Sequence, residues 1–196
     1  QEKLVKWKDK IVKKLNMGIK FLCKKNGVNV VKGEAKFISD HEIEVNSERI
    51  RFDKAIIATG SVPVEIPGFE FDGKSVISSS DALELKEIPD KLIVIGGGYI
   101  GTELGTVFDK LGSEVHIIEM TDRLLPTMDH ELVGKIDTGD INIHLNSKAT
   151  GYQRKDDKVL VTIEKDGEKK DIEADKVLVV VGRKPYSDIG LENTSA

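Results

Sequence analysis

The stretch LIVIGGGYIGTELGTVFDKLGSEVHIIE, residues 92–119, leaves a chain few ways to fold. Residues 92–95 run apolar without a polar interruption, which suits a strand buried on both faces. Gly96, Gly98 and Gly101 follow at G-x-G-x-x-G spacing, and the residues beyond them continue at helical period. The three glycines serve different ends. Gly96 permits the tight turn, Gly98 lets a pyrophosphate come close to the backbone, and Gly101 lets the helix approach the sheet. A second apolar run ends in Glu119, eighteen residues beyond Gly101. Strand, glycine turn, helix, strand and terminal acid together predict the βαβ unit of a dinucleotide-binding fold, with phosphates held at a helix N-terminus by free amides and the helix dipole. An acid in the place of Glu119 accepts hydrogen bonds from both hydroxyls of an adenosine ribose and repels a 2′-phosphate, which favours NAD over NADP. Arg123, four residues on, is the nearby group suited to a phosphate.

The chain also repeats itself. DKAIIATGSVP at residues 53–63 has a near twin in DKVLVVVGRKP at residues 175–185, an offset of 122. Each is an acid and a lysine, an apolar and mostly β-branched run, a glycine, two variable residues and a proline, which predicts a buried strand ending in a turn. Their preambles match as well. Residues 28–52 alternate VNVVKG, AKFI, EIEVN and RIRF with turn residues, as a small antiparallel meander feeding a core strand does. Residues 158–182 follow the same plan, with a turn at Asp166 and Gly167. Two similarly built modules are therefore expected in one α/β chain. The twin strand of the second module begins 79 residues after Gly96, and the same count back from Asp53 falls before residue 1, so the first module is expected to be incomplete and without a glycine loop of its own. Residues 61–91, with Pro63, Pro67, Pro89 and a cluster of serines, read as a connector in which Ser80 or Asp81 caps a short helix over ALEL. The boundary is placed near Leu85, giving residues 1–85 and 86–196.

The opening residues place Leu4, Ile11, Leu15, Ile19 and Leu22 on one helical face and most lysines on the other, with Gly27 as the stop. With 30 basic and 34 acidic side chains the chain has a formal charge of −4, which gives no general attraction for nucleic acid or an anionic membrane, so the lysines read as solvation. One cysteine, Cys23, excludes an internal disulfide. Neither a secretory leader nor a spanning apolar run is evident, and an intracellular, reducing location, the cytoplasm, is expected. His41, His116, His130 and His144 have no metal-ligand or catalytic spacing, and no metal is expected. A first residue that is not Met, and an end that trails off after a strand and turn, give the chain the look of an excerpt.

Two dinucleotide modules in series, with ATGSVP closing the first and VIGGGYIGTELG, IIE and VGRKP marking the second, resemble the flavoprotein disulfide reductases over essentially the whole chain. Within that family the pattern is most similar to the branch that reoxidises protein-bound dihydrolipoyl groups. The resemblance implies two tandem Rossmann-like FAD/NAD(P)-binding modules, FAD in the first and NAD in the second, with electrons passing from a dithiol to a protein disulfide, then through the flavin to NAD. It implies a homodimer, and as partner the lipoyl domain of a 2-oxo acid dehydrogenase complex. Thr59, Gly60 and Ser61 would touch the flavin dinucleotide, and Ala35 would lie beside its adenine. Gly96, Gly97, Gly98, Tyr99, Ile100, Gly101 and Glu103 would line the NAD pyrophosphate and nicotinamide path, Glu119 the ribose, and Ala149 and Gly182 the adenine and nicotinamide sides. Tyr99 falls where some members place an aromatic lid over the flavin, or it packs the loop.

The departures from the family pattern carry expectations too. The redox cysteine pair and the C-terminal His and Glu of the family have no counterpart, Cys23 reads as a passive, partly buried thiol, and no catalytic residue is assigned. This segment by itself is expected to be inactive. A long crossover helix belongs after MDHEL, but VGKIDTGD stands there, and residues are expected to be missing between about Glu131 and Ile141. The alternatives are a mercuric, glutathione-type or coenzyme A disulfide reductase, or a non-catalytic NAD-binding module on the same fold.

Overall fold

The computed structural model describes residues 2–195 and divides the chain into two compact units, neither contiguous in sequence. The smaller takes Lys6–Val62 and the residues from Lys184 onward, and the larger takes the residues up to Val5 together with Pro63–Arg183. The breaks between these compact units fall near residues 62 and 184. The physical reason is β5 (Val76–Ile77), which lies in the expected connector but pairs in parallel with β12 (Lys176–Val179) and so belongs to the larger unit's sheet.

The predicted opening helix forms as α1 (Glu2–Lys25), and Gly27 follows at φ +68°, the left-handed conformation that stops a helix. No residue of α1 is buried. The predicted meander forms from β1 (Ala35–Ser39), β2 (Glu42–Val45) and β3 (Glu48–Arg51), antiparallel in that order, with Phe37 and Phe52 edge to face. Residues 28–33, expected as a further run of it, form no strand. Nor does the first twin: residues 53–60 are irregular and exposed, with Ile56 at 95% of its full accessibility. Its pattern is that of a strand with parallel neighbours on both sides, and among the described residues no strand of the smaller unit pairs with it to take its backbone hydrogen bonds.

The larger unit is a parallel sheet in the order β5, β12, β6 (Lys91–Ile95), β7 (Glu114–Ile118), β8 (Asn142–His144). Here the second twin finds what the first lacks. β12 sits between β5 and β6, and Val177, Leu178 and Val179 are fully buried. Alternate residues of the central strands serve opposite faces. Ile93, Ile95, Ile118, Val177 and Val179 meet a long antiparallel meander of β9 (Lys148–Lys155), β10 (Lys158–Lys165) and β11 (Glu168–Ala174), through Val159, Val161, Ile163 and Ile172. Leu92, Val94, Val115, Ile117 and Leu178 meet α2 (Ser79–Glu84) and α3 (Tyr99–Lys110), through Ala82 and Phe108. The expected turn at Asp166 and Gly167 forms, both residues at positive φ.

One local expectation is corrected. The cap of α2 is Ser78, whose hydroxyl faces the Asp81 amide while the Asp81 carboxylate accepts from the Ser78 amide, so Asp81 is the far corner of a capping box and not the cap. The β7 to β8 crossover closes through only one helical turn, α4 (His130–Val133), capped by Asp129. Parallel pairing of Ile117 with Ile143 is reached because the residues between the strands exceed the dozen a crossover needs, and because Leu124, Leu125 and Ile141 anchor them in the core. The twins' last residues, β4 (Ser61–Pro63) and β13 (Arg183–Pro185), pair as a two-stranded sheet.

Candidate dinucleotide site

The site lies where the strand order reverses. β6 is flanked by β7 and by β12, whose connections leave on opposite sides, and a ligand crevice opens at the carboxyl ends of the strands at such a point. The glycine loop is at that end. Gly96, at φ +110°, packs so closely on β12 that an added Cβ would stand 2.6 Å from the Val180 carbonyl oxygen. A Cβ at Gly101 would collide with the Gly96 carbonyl oxygen, so the third glycine lets the helix start against the turn. At Gly98 an added Cβ would meet nothing within 4 Å. That open space faces the first turn of α3, whose N-cap is Gly98 with no side-chain cap, leaving the amides of Tyr99, Ile100 and Gly101 without helical acceptors. Three bare amides, a helix of twelve residues behind them and room for a phosphate fit a dinucleotide pyrophosphate.

Gly97 is the buried member of the loop and is gripped from the next segment. Its amide donates to Glu119 Oε2 at 2.6 Å, and its carbonyl accepts from the Leu125 amide at 2.8 Å. Glu119 stands just past the end of β7, its Oε1 accepting from the Thr121 amide at 2.8 Å and lying 2.9 Å from the Thr121 hydroxyl. Arg123 turns back on its own loop and donates to the Pro126 carbonyl at 2.7 Å. Tyr99 is more than half exposed, with its hydroxyl 3.0 Å from that of Thr127, and Glu103 lies exposed one helical turn further along α3. Ser147 donates its amide to the Glu119 carbonyl at 2.9 Å, which brings the start of β9 and the half-buried Ala149 to the acid. Gly182 follows β12 at φ +149°, its carbonyl accepting from the Val64 amide.

The remaining sequence-predicted residues gather in the smaller unit. Thr59 donates its hydroxyl to the Tyr186 carbonyl at 2.6 Å, the Gly60 carbonyl accepts the Tyr186 amide at 3.1 Å, and the Tyr186 hydroxyl lies 3.4 Å from Glu34, the neighbour of Ala35. Ala35, Thr59, Gly60 and Ser61 are all exposed. Tyr186 is thus the tie between them, and the sequence reading missed it. Its one signal is a place just past the second twin's proline.

The family model for pyridine nucleotide-disulphide oxidoreductases matches residues 1–195. The chain belongs to this family. Members of this oxidoreductase family work with FAD and NAD. Among curated relatives of this chain, the dihydrolipoyl dehydrogenase of Haloferax volcanii is 43% identical over 200 residues, covering 95% of this chain and 42% of its own length. That of Bacillus subtilis is 44% identical, covering 97% and 42%. Among solved structures, the HOCl-induced flavoprotein disulfide reductase RclA of Escherichia coli superposes with a TM-score of 0.84 at 28% identity, over 98% of this chain and 45% of that one. The chain spans less than half the length of the curated relatives it matches.

Cys23 is partly buried and forms no disulfide. His116 and His144 stack with ring centroids 5.3 Å apart and ring nitrogens at 3.0 Å, and the other His116 nitrogen lies 2.8 Å from Glu114. Among the described residues no three His, Cys, Asp or Glu side chains are grouped to hold a metal ion, and no helix is long and apolar enough to cross a membrane.

Proposed function

We propose that the larger unit binds NAD and that the whole protein oxidises protein-bound dihydrolipoyl groups with NAD, through FAD and a redox-active disulfide. One observation carries the NAD reading: an uncapped helix start over open space at Gly98, with a carboxylate at the end of the next strand already tied to the loop through Gly97. The bare amides of Tyr99, Ile100 and Gly101 take the pyrophosphate, and Glu119 takes the adenosine ribose. Ala149 lies on the adenine side, with Gly182, Tyr99 and Glu103 on the nicotinamide side. When bound, the nicotinamide supplies hydride acceptance. Ala35, Thr59, Gly60 and Ser61 supply one edge of the FAD site, backbone groups and a hydroxyl that Tyr186 holds together. Residues 1–85 and 86–196 are proposed as the partial FAD-binding and the NAD-binding segments.

Identities of 43% and 44% to dihydrolipoyl dehydrogenases, against 28% to another disulfide reductase, support the dihydrolipoyl substrate. With that substrate come a lipoyl domain as partner, a homodimer and a cytoplasmic place. The segment of 196 residues holds one thiol where a redox disulfide needs two, so alone it does not turn over. Calorimetric titration of this chain tests the site: NAD binds more tightly than NADP, and Glu119→Ala weakens NAD by about 1–3 kcal/mol through loss of charge-assisted hydrogen bonds. NADP binding at least as tightly as NAD overturns the reading.

A further inference from the structure

We infer that Thr121 is a positioning residue for Glu119, its hydroxyl a two-way donor that holds the carboxylate until a ribose arrives; this rests on the NAD reading above. The backbone of Glu119 is fixed on both sides, its amide donating to the His144 carbonyl and its carbonyl accepting from Ser147, each at 2.9 Å. Thr121 is fixed as well, since its carbonyl accepts the Asn146 amide at 2.9 Å. Met120 between them points to solvent. Only the side-chain torsions of Glu119 remain open, and the protein closes them with donors.

A carboxylate offers about four lone-pair sites, two on each oxygen. Two main-chain amides occupy one site on each: Gly97 on Oε2 and Thr121 on Oε1. One site therefore remains on each oxygen, the arrangement that two neighbouring ribose hydroxyls require. In the free protein the Thr121 hydroxyl fills the site on Oε1. The same hydroxyl lies 2.8 Å from the Arg123 carbonyl, so its single proton has a second acceptor within reach. When the ribose binds, the Thr121 proton turns to Arg123 and the site on Oε1 passes to a ribose hydroxyl. The Thr121 proton thus has an acceptor in either state, and the two amides hold the carboxylate throughout. A methyl in place of the hydroxyl has no acceptor to turn to and crowds Oε1, which displaces the acid.

The test is calorimetric titration of the full 196-residue chain with NAD and with an NAD analogue lacking both hydroxyls of the adenosine ribose. Thr121→Val weakens NAD about five- to ten-fold, because the methyl crowds Oε1 and turns the carboxylate away from the ribose hydroxyls. It changes binding of the analogue less than about two-fold, because the effect acts through the ribose hydroxyls. Thr121→Ser, which keeps the hydroxyl, restores NAD binding to near the wild-type value. Equal losses for both ligands, or no loss for NAD, overturn the assignment, with thermal melts showing that each variant is folded. Wild-type chain that does not bind NAD at all sinks the site itself, a different failure from that of Thr121.

Discussion

Gly98 and Gly101 are three residues apart in one motif and are asked for different things. A Cβ at Gly101 collides with main chain that cannot move without opening the turn, so Gly101→Ala destabilises the larger unit by about 1–3 kcal/mol, the usual cost of overpacking. Gly98 sits at φ −75°, where alanine is at ease, and its Cβ would enter empty space. Gly98→Ala therefore leaves stability within about 0.5 kcal/mol and abolishes NAD binding, since the methyl occupies the pyrophosphate's place. Denaturant titration and calorimetry on the two variants separate the roles; a Gly98→Ala chain that binds NAD normally would show that the open space is not the ligand's. Both glycines were legible because spacing alone encodes backbone approach. Thr121 and Tyr186 were not, since a hydroxyl's worth depends on what three-dimensional folding sets beside it.

At the scale of elements, the twin segments show what a sequence pattern omits. Residues 175–180 and 53–58 carry nearly the same apolar code, yet one is the buried middle of a parallel sheet and the other is exposed. The code specifies a strand that needs two neighbours and does not supply them. Hydrogen exchange follows: amides of β12 exchange only on global opening of the sheet, and those of residues 54–58 exchange near the rate of an unfolded chain. Protection of the latter would mean that this segment is paired in solution. The edge pairing of β7 and β8 adds a dependence on pH. Burial lowers the pKa of His144, and the charges of His116, Lys170 and Lys165 lower it further. The neutral imidazole is thus favoured by folding, so its contribution is present above the ordinary histidine pKa of about 6.5 and is lost as pH falls below it. Glu114, held low by hydrogen bonds from Lys91 and His116, keeps its charge beside the pair through that range. The denaturation midpoint of the larger unit therefore falls as pH is lowered from about 7.5 to about 5.5, and His144→Gln flattens the dependence; an unchanged slope in that variant assigns the effect to other groups.

At the scale of the molecule, the two units differ in how much they bury. The larger holds two apolar cores on opposite faces of a continuous sheet, with twelve and eleven buried residues. In the smaller, α1 buries nothing and the twin segment is exposed, leaving a three-stranded meander with Val45 buried, the segment around Ile189 bonded to β1, and the Tyr186 ties. Burial of apolar area is what offsets chain entropy, so the two units are expected to have unequal stabilities and to unfold in separate steps. Ligand linkage identifies the steps. NAD binds within the larger unit alone on the present reading, and at about a hundred times its dissociation constant it adds about 2.7 kcal/mol to that unit. Scanning calorimetry then shows two transitions, of which saturating NAD raises only the upper. A single transition, or one in which NAD moves the lower step, would mean that the units do not stand alone as folding bodies or that the nucleotide reaches across both.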